Sequence, residues 1–593
     1  MGHSHGHDHG HDHSHGHDHS HDHSHAPGHD HDHHHPNAEL DVATKAALDE
    51  SIPDRDLSPT EVSRRSLLRS AGILGGTAAL AVTGAQAAAA ATPKSVPGWI
   101  FQEGKRPQVW LAGDHHIHTQ FSSDAMYRVV DQARHAEAFG LDWLVITDHG
   151  GATHARLGVD LVNPEIKAAR AELKNTLIFQ GFEWNIPAAE HGTIFVAPGP
   201  REVEVLKQFE TDYDGSVKGA GANNPTNEAL AVSGIQWLGQ QVDRRRVQDA
   251  LFLANHPARN GIDSPHEIRN WRDADPRIAI GFEGAPGHQA AGLPKGIGAA
   301  NARGFYGNAP GANSFPGYPL ESYRTWGGFD WMTATVGGLW DSLLAEGKPW
   351  WISANSDSHN NWNETARRPD GSNQAQFDRD GQYQDPVYGN QVNALNGDFW
   401  PGFYSRTHVG AERRDYLSVM EGLRSGRVWV DHGALVGGVE MEVREVGKRY
   451  GEPLGGALLV RPGRPVELVV RITAQTIPNW ANFVPVLNRV DVIRGAVTGA
   501  VSDRDTLRAP DTKVVKQWDT SGQNGTFELV LPLGQADEPF YVRVRGTDGH
   551  RSQPGYLGAA IDPAGPQLDV VGDADPWVDL WFYTNPIWVL PKK

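Results

Sequence analysis

The stretch Val109-Trp110-Leu111-Ala112-Gly113-Asp114-His115-His116-Ile117-His118 decides the fold. A short β-favouring run passes directly into two imidazoles one residue apart, and in an extended chain that spacing puts His116 and His118 on one side, where both can hold one ion. The same pattern recurs down the chain. Trp143-Leu144-Val145-Ile146 leads to Thr147-Asp148-His149, and Leu177-Ile178-Phe179 leads through Gln180-Gly181-Phe182 to Glu183. His191 opens Thr193-Ile194-Phe195-Val196, and Leu251-Phe252-Leu253-Ala254 runs into Asn255-His256-Pro257. Trp350-Trp351-Ile352-Ser353 reaches Asp357-Ser358-His359, a second pair at period two.

Helical patterns lie between these runs, such as Val129 to Phe139 with its Ala-rich face. Strands alternating with helices, with polar groups where strands end, predict an α/β fold: a β/α barrel whose site sits on its C-terminal face. Outside the N-terminal tail there are 14 histidines, and six fall on these positions. The competing reading is a scatter of surface and core histidines. Neutral imidazole and carboxylate gathered at strand ends is the way catalytic metal sites are built.

Composition narrows the chemistry. A chain of 593 residues has room for two or three domains, and 39% hydrophobic residues with 19 Trp can fill a sizeable core. There is no cysteine, which excludes disulfides, a thiolate nucleophile and Cys-ligated metal, so any metal is held by His, Asp or Glu. The net charge of −19, with no compact Lys/Arg-rich face or run outside one short N-terminal segment, argues against nucleic acid as a partner. No Gly-rich phosphate loop of Walker type is present.

Taken together, His116-Ile117-His118-Thr119 with Ser123-Asp124, Ile146-Thr147-Asp148-His149, Gly181-Phe182-Glu183-Trp184 with His191, Asn255-His256-Pro257 and Ser356-Asp357-Ser358-His359 resemble the polymerase and histidinol phosphatase (PHP) superfamily of metal-dependent phosphoesterases. The resemblance covers about residues 108 to 432, through Gly422-Leu423-Arg424-Ser425-Gly426-Arg427-Val428-Trp429. It implies a distorted (β/α)7 barrel of PHP type with nine metal ligands: His116, His118, Asp124, His149, Glu183, His191, His256, Asp357 and His359. Asp124 stands where some members have His, and Ala125 replaces the usual Gly. Nine ligands are too many for one divalent ion. With Glu183 bridging, the implied cofactor is three divalent ions per chain, Mn, Zn or Fe, and the implied nucleophile is a metal-bridging hydroxide.

Other roles are read from position. Asp148 is a candidate to orient an imidazole or water, against hydrogen bonding to its own backbone. Arg259 is a candidate to grip a phosphoryl oxygen, against a solvated surface group. His154 is a candidate proton donor to the leaving group. His115 falls on the face opposite His116. Trp184 and Asn185 are candidates for the pocket lining, against packing. Two irregular stretches, 284–330 and 360–410, adjoin strand ends where loops build specificity, and the second carries Arg406 and His408.

The flanks read differently. Seventeen of the 31 histidines lie between His3 and His35, so residues 1–62 read as a disordered, His-rich tail that gathers metal, or as an expression tag. Residues 63–92, with Arg64-Arg65, an apolar stretch from Ala71 to Val82 and Ala85-Gln86-Ala87, resemble a twin-arginine signal, which implies a periplasmic or secreted protein with no membrane span after cleavage. Residues 93–432 are the expected metallohydrolase barrel. From 433 to 593 short alternating runs with turn signals predict an antiparallel β-sandwich-like domain.

The expected function is a metal-dependent phosphoester hydrolase acting on small organic phosphodiesters. The sparse Arg and Lys near the motifs favour a singly charged diester over a monoester dianion. The alternatives are a phosphomonoesterase, an exported nuclease and a metal-storage protein.

Overall fold

The computed structural model describes residues 106–592. The His-rich tail and the twin-arginine segment lie outside the described residues. Those described belong to one compact unit, and no helix among them is long and apolar enough to cross a membrane.

Each apolar run quoted above becomes a buried strand. They are β1 (Val109–Asp114), β2 (Trp143–Ile146), β3 (Leu177–Asn185), β4 (His191–Val196), β5 (Ala250–Ala254) and β7 (Trp351–Ala354), and a further strand that the sequence reading did not anticipate, β6 (Ala279–Ala285), stands between the last two. A hairpin of β8 (Glu364–Arg367) and β9 (Val387–Asn393) precedes β10 (Ser405–Ala411) and β11 (Val428–His432). Strands β10 and β1 to β7 are neighbours in that order in a mixed sheet. β1–β2–β3 and β5–β6–β7 are parallel, but β4 is antiparallel to both its neighbours and β10 is antiparallel to β1. The regular alternation of strand and helix therefore fails once. β3 and β4 form a hairpin closed by Ile186–Glu190, too short for a crossover helix, and so His191 opens its strand while Glu183 lies near the end of its own. Helices Val129–Ala138, Val159–Glu172, Glu202–Tyr213, Pro225–Asp243 and Pro265–Ala274 cover the outside.

β7 is an edge strand by backbone pairing, yet it is buried. An unpaired buried backbone group costs about 1–3 kcal/mol, and side chains answer it here. Asn585 accepts from Ile352 N at 2.9 Å, and Thr407 accepts from Ala354 N at 2.8 Å and donates to Ala354 O at 2.6 Å. Beyond the strand ends, His118 N donates to Ser358 O at 3.0 Å in an isolated parallel bridge between Ile117 and Ser358, joining the segment after β1 to the segment after β7.

The last 160 residues build β12 (Val436–Glu445), β13 (Glu452–Pro453), β14 (Ala457–Val460), β15 (Pro465–Ala474), β16 (Arg489–Ala496), β17 (Lys513–Asp519), β18 (Thr526–Gln535), β19 (Phe540–Thr547), β20 (Trp581–Thr584) and β21 (Ile587–Pro591). β13–β12–β15–β18 form a separate antiparallel sheet. The others extend the large sheet, because β20 pairs with β11. Pairing is antiparallel throughout this part except between β14 and β21, which are parallel. The two sheets share a core of Val439, Met441, Leu468 and Val470 against Val492, Val544 and Val589.

Asn585→Ala leaves Ile352 N without a partner in a dry environment. We expect a loss of about 1–3 kcal/mol of stability, read as a lower chemical-denaturation midpoint; an unchanged midpoint would show that β7 does not depend on this side chain.

Candidate metal centre

The ligand-bearing segments are held by backbone hydrogen bonds that continue the sheet past its regular strands. Thr147 N donates to Ile117 O at 2.8 Å, Glu183 N to Asp148 O at 3.0 Å and Gly150 N to Glu183 O at 2.7 Å. Two ligand positions carry backbone strain. His256 has φ +31° and Asp357 φ +45°, a region in which side-chain-bearing residues are rare and which clusters at functional sites.

All nine side chains expected as ligands converge, and Glu183 lies at their centre. Its Oε1 is 3.2 Å from His116 Nε2, 3.1 Å from His191 Nδ1 and 3.2 Å from His256 Nε2. Its Oε2 is 2.7 Å from His149 Nδ1 and 3.6 Å from His118 Nε2. Asp357 Oδ1 is 3.2 Å from the Nε2 atoms of both His116 and His118. Asp124 reaches His149 Nε2 at 3.1 Å and His359 Nε2 at 3.5 Å, and the His359 ring stacks on His118 with centroids 3.8 Å apart.

Burial alone would raise both central carboxyls. His191, His116 and His149 instead hold Glu183 well below the usual carboxylate range, and His116 and His288 do the same for Asp357. Both are anionic at neutral pH.

The donor set fits divalent cations on three counts. It is entirely nitrogen and oxygen. The buried atoms Glu183 Oε2 and Asp357 Oδ1 lie 2.7–3.6 Å from imidazole nitrogens without an aligned hydrogen bond to any of them. His116 Nε2 and His118 Nε2 face each other at 2.9 Å, while their Nδ1 atoms are engaged by Glu283 at 2.7 Å and Ser122 at 2.9 Å. With Nδ1 committed outward, the inward nitrogens are left to bind a cation, the arrangement that orients metal-ligating imidazoles.

Asp148 accepts from Thr119 N, Thr119 Oγ1 and Ser122 Oγ, each at 2.7 Å, so it reaches His118 through Ser122 and acts as a positioning residue. Arg259 lines a cavity of about 460 Å³ over the ligands, and its guanidinium is 3.6 Å from buried Glu190. The structure does not bring His154 to that cavity. The helical turn that follows it carries its ring inward, where Nδ1 bonds Glu210 at 2.9 Å. His115 points into the interior at Ser353, 2.8 Å away, and burial lowers its pKa to about 4. Trp184 packs against Phe209 and Phe252, and the Asn185 side chain bonds Asp214. Arg406 and His408 both bond Asp431 and do not line the cavity.

Three contributors escaped sequence reasoning. Glu283 bonds His116 Nδ1 and accepts from His256 N at 2.6 Å. It ends the run Ile280-Gly281-Phe282, so the strand-end rule that found the ligands would have found it. His288 spans two carboxylates, with Nε2 2.7 Å from Asp357 and Nδ1 against Asp398, while Asp398 also accepts from His359 N at 2.7 Å. Burial works against a charge on His288, but Asp357 and Asp398 raise its pKa to about 10, so it is protonated at neutral pH. His288 and Asp398 sit on irregular loops that no periodicity marks.

The match to known families falls on this rim: the segment carrying His116, His118, Asp124, His149, Glu183 and His191 matches the PHP domain family over residues 114–240. His256, Asp357 and His359 lie beyond the matched residues, and the folded chain brings them to the same centre. Among solved structures, a two-domain protein from Bacteroides vulgatus containing a predicted PHP-like metal-dependent phosphoesterase is similar at 15% identity, over 76% of this chain and 95% of that one, with a TM-score of 0.26. No curated protein matches the chain.

Glu183→Gln removes the charge that five imidazoles share. By elemental analysis of purified protein, it is expected to lower bound divalent metal more than His191→Ala does. Ser122→Ala, which releases the Nδ1 of His118 and the backbone N of His149 from Ser122 Oγ, is expected to weaken metal affinity by roughly 10–100-fold; metal content and affinity equal to wild type in both variants would remove Glu183 and Ser122 from the site.

Proposed function

We propose that this chain is a metal-dependent phosphoester hydrolase acting on small organic phosphodiesters. The observation that carries this reading is the convergence of nine imidazole and carboxylate side chains at one cavity, seven of them lining it and His116 and His118 buried behind Glu183 and Asp357, with a single arginine, Arg259, on its wall. The wall of strands is read as a distorted (β/α)7 barrel. The ligands divide around Glu183 into groups suited to three ions: His116, His118 and Asp357; Asp124, His149 and His359; His191 and His256. Mn, Zn and Fe all suit such N/O ligation. When bound, these ions supply Lewis-acid polarisation of phosphoryl oxygen and acidify water.

The chain's own residues do the rest. Arg259, held by Glu190, presents N–H donors to a phosphoryl oxygen. Its loop is fixed from beneath, since Ala258 N donates to buried Asp330 at 3.0 Å. His288 fixes the second oxygen of Asp357 and so orients the first toward His116 and His118. Of the two cations that line the cavity, His288 is already taken up between Asp357 and Asp398, so Arg259 is left to meet the substrate, and one cation suits the single charge of a diester better than the dianion of a monoester. The Arg64-Arg65 segment supports export of the enzyme, and Gly/Asp/Ser-spaced histidines support a tail that gathers metal for it.

The test is steady-state hydrolysis of matched diesters and monoesters by metal-loaded protein. Diesters are expected to give the higher kcat/KM. Asp357→Asn is expected to lose at least about a hundredfold in activity, and Arg259→Met about 10–100-fold, the worth of one charged hydrogen bond. Higher kcat/KM on monoesters would reassign the chain as a phosphatase, and no turnover of either class would overturn the hydrolase reading.

A further inference from the structure

Two apolar side chains stand exposed on the rim of an otherwise polar cavity. Phe305 is 37% exposed and Leu395 70%, and both line the space above the ligands together with Arg259, Asn360 and Asn396. They come from different insertions, the stretch after β6 and the stretch after β9, so their meeting is a product of the folded chain.

Phe305 is held out by its backbone. It has φ +55°, an unfavourable conformation for a bulky side chain. The residues on either side are buried and fastened: Gly304 N donates to His288 O at 3.1 Å, and Tyr306 Oη donates to Asp330 at 2.6 Å. A free loop would relax and turn the ring inward. Here the ring lies over His288, centroids 4.6 Å apart, and against Gly397, where an added Cβ would come within 2.4 Å of the ring edge. Asp330 thus ties the loop carrying Phe305 to the loop carrying Arg259.

We infer that Phe305 and Leu395 form an apolar lip that receives the organic group of the substrate, so that the site selects phosphoesters bearing an aryl or comparably bulky apolar group over compact ones. The inference rests on the phosphoesterase reading. The phosphoryl group sits between Arg259 and the ligand cluster, and the ester group that faces outward meets Phe305 and Leu395 in place of water. Removing apolar surface from water on binding is what distinguishes phenyl from methyl at this position.

The test is calorimetry on metal-loaded protein with two non-hydrolysable probes that carry the single charge of a diester, methyl(phenyl)phosphinate and dimethylphosphinate. The phenyl probe is expected to bind at least about tenfold tighter, and this ratio is expected to fall toward one in Phe305→Ala and in Leu395→Ser. The second variant changes a side chain exposed enough to leave folding intact. A ratio near one in the wild type, binding of neither probe, or a ratio kept in both variants overturns the inference. In parallel, phenyl and methyl p-nitrophenyl phosphates, which share one leaving group, are compared for turnover. Turnover of both esters without a phenyl preference in binding removes the lip and leaves the hydrolase standing. A phenyl preference in binding without turnover of either supports the lip while the hydrolase reading falls.

Discussion

The centre depends on one carboxylate in the middle of five imidazoles. Glu183 is 2% exposed, and a buried anion is costly unless charges or donors surround it. His116, His118, His149, His191 and His256 all reach it, from four different strand ends. Each must therefore hold its place against the others, and most of the surrounding construction serves that need. Ser122, Asp148, Glu283, His288 and Asp398 are the outward partners that keep the ligand rings and carboxylates from turning away.

That demand extends to the far end of the chain. Asn585, between β20 and β21, satisfies the backbone of β7, the strand that leads into Asp357 and His359. Arg303 is fully buried and joins Asp579 at 3.0 Å to Gln289 at 2.7 Å and Tyr404 at 2.7 Å, which fastens the loop of His288 and Phe305 to the C-terminal strands. Removing either partner of such a pair leaves an uncompensated buried charge. The C-terminal strands are thus part of the wall that positions the site.

Much of the centre was legible because period two and strand ends are local properties. His116 and His118 share a side of an extended segment whatever the rest of the chain does, and so do Asp357 and His359. His149, Glu183, His191 and His256 each follow or begin an apolar run short enough to be a strand. Glu283 follows the same rule, but in the sequence it directly abuts the irregular stretch that begins at Gly284. His154 shows the rule's limit: five residues beyond His149 in sequence, it enters a helical turn and bonds Glu210, away from the cavity over Glu183.

The sequence by itself determined which residue types could bind metal and that they would gather at one edge of a sheet, since side-chain alternation and the absence of cysteine leave few other arrangements. Only the tertiary structure decided what completes the centre. His288 and Asp398 are 110 positions apart on loops without periodicity, and Phe305 and Leu395 are brought together by two insertions. Contacts of that kind come from how loops close on a rigid wall, through buried hydrogen bonds such as those of Asp330 and Arg303, and no local pattern encodes which partners those bonds will choose.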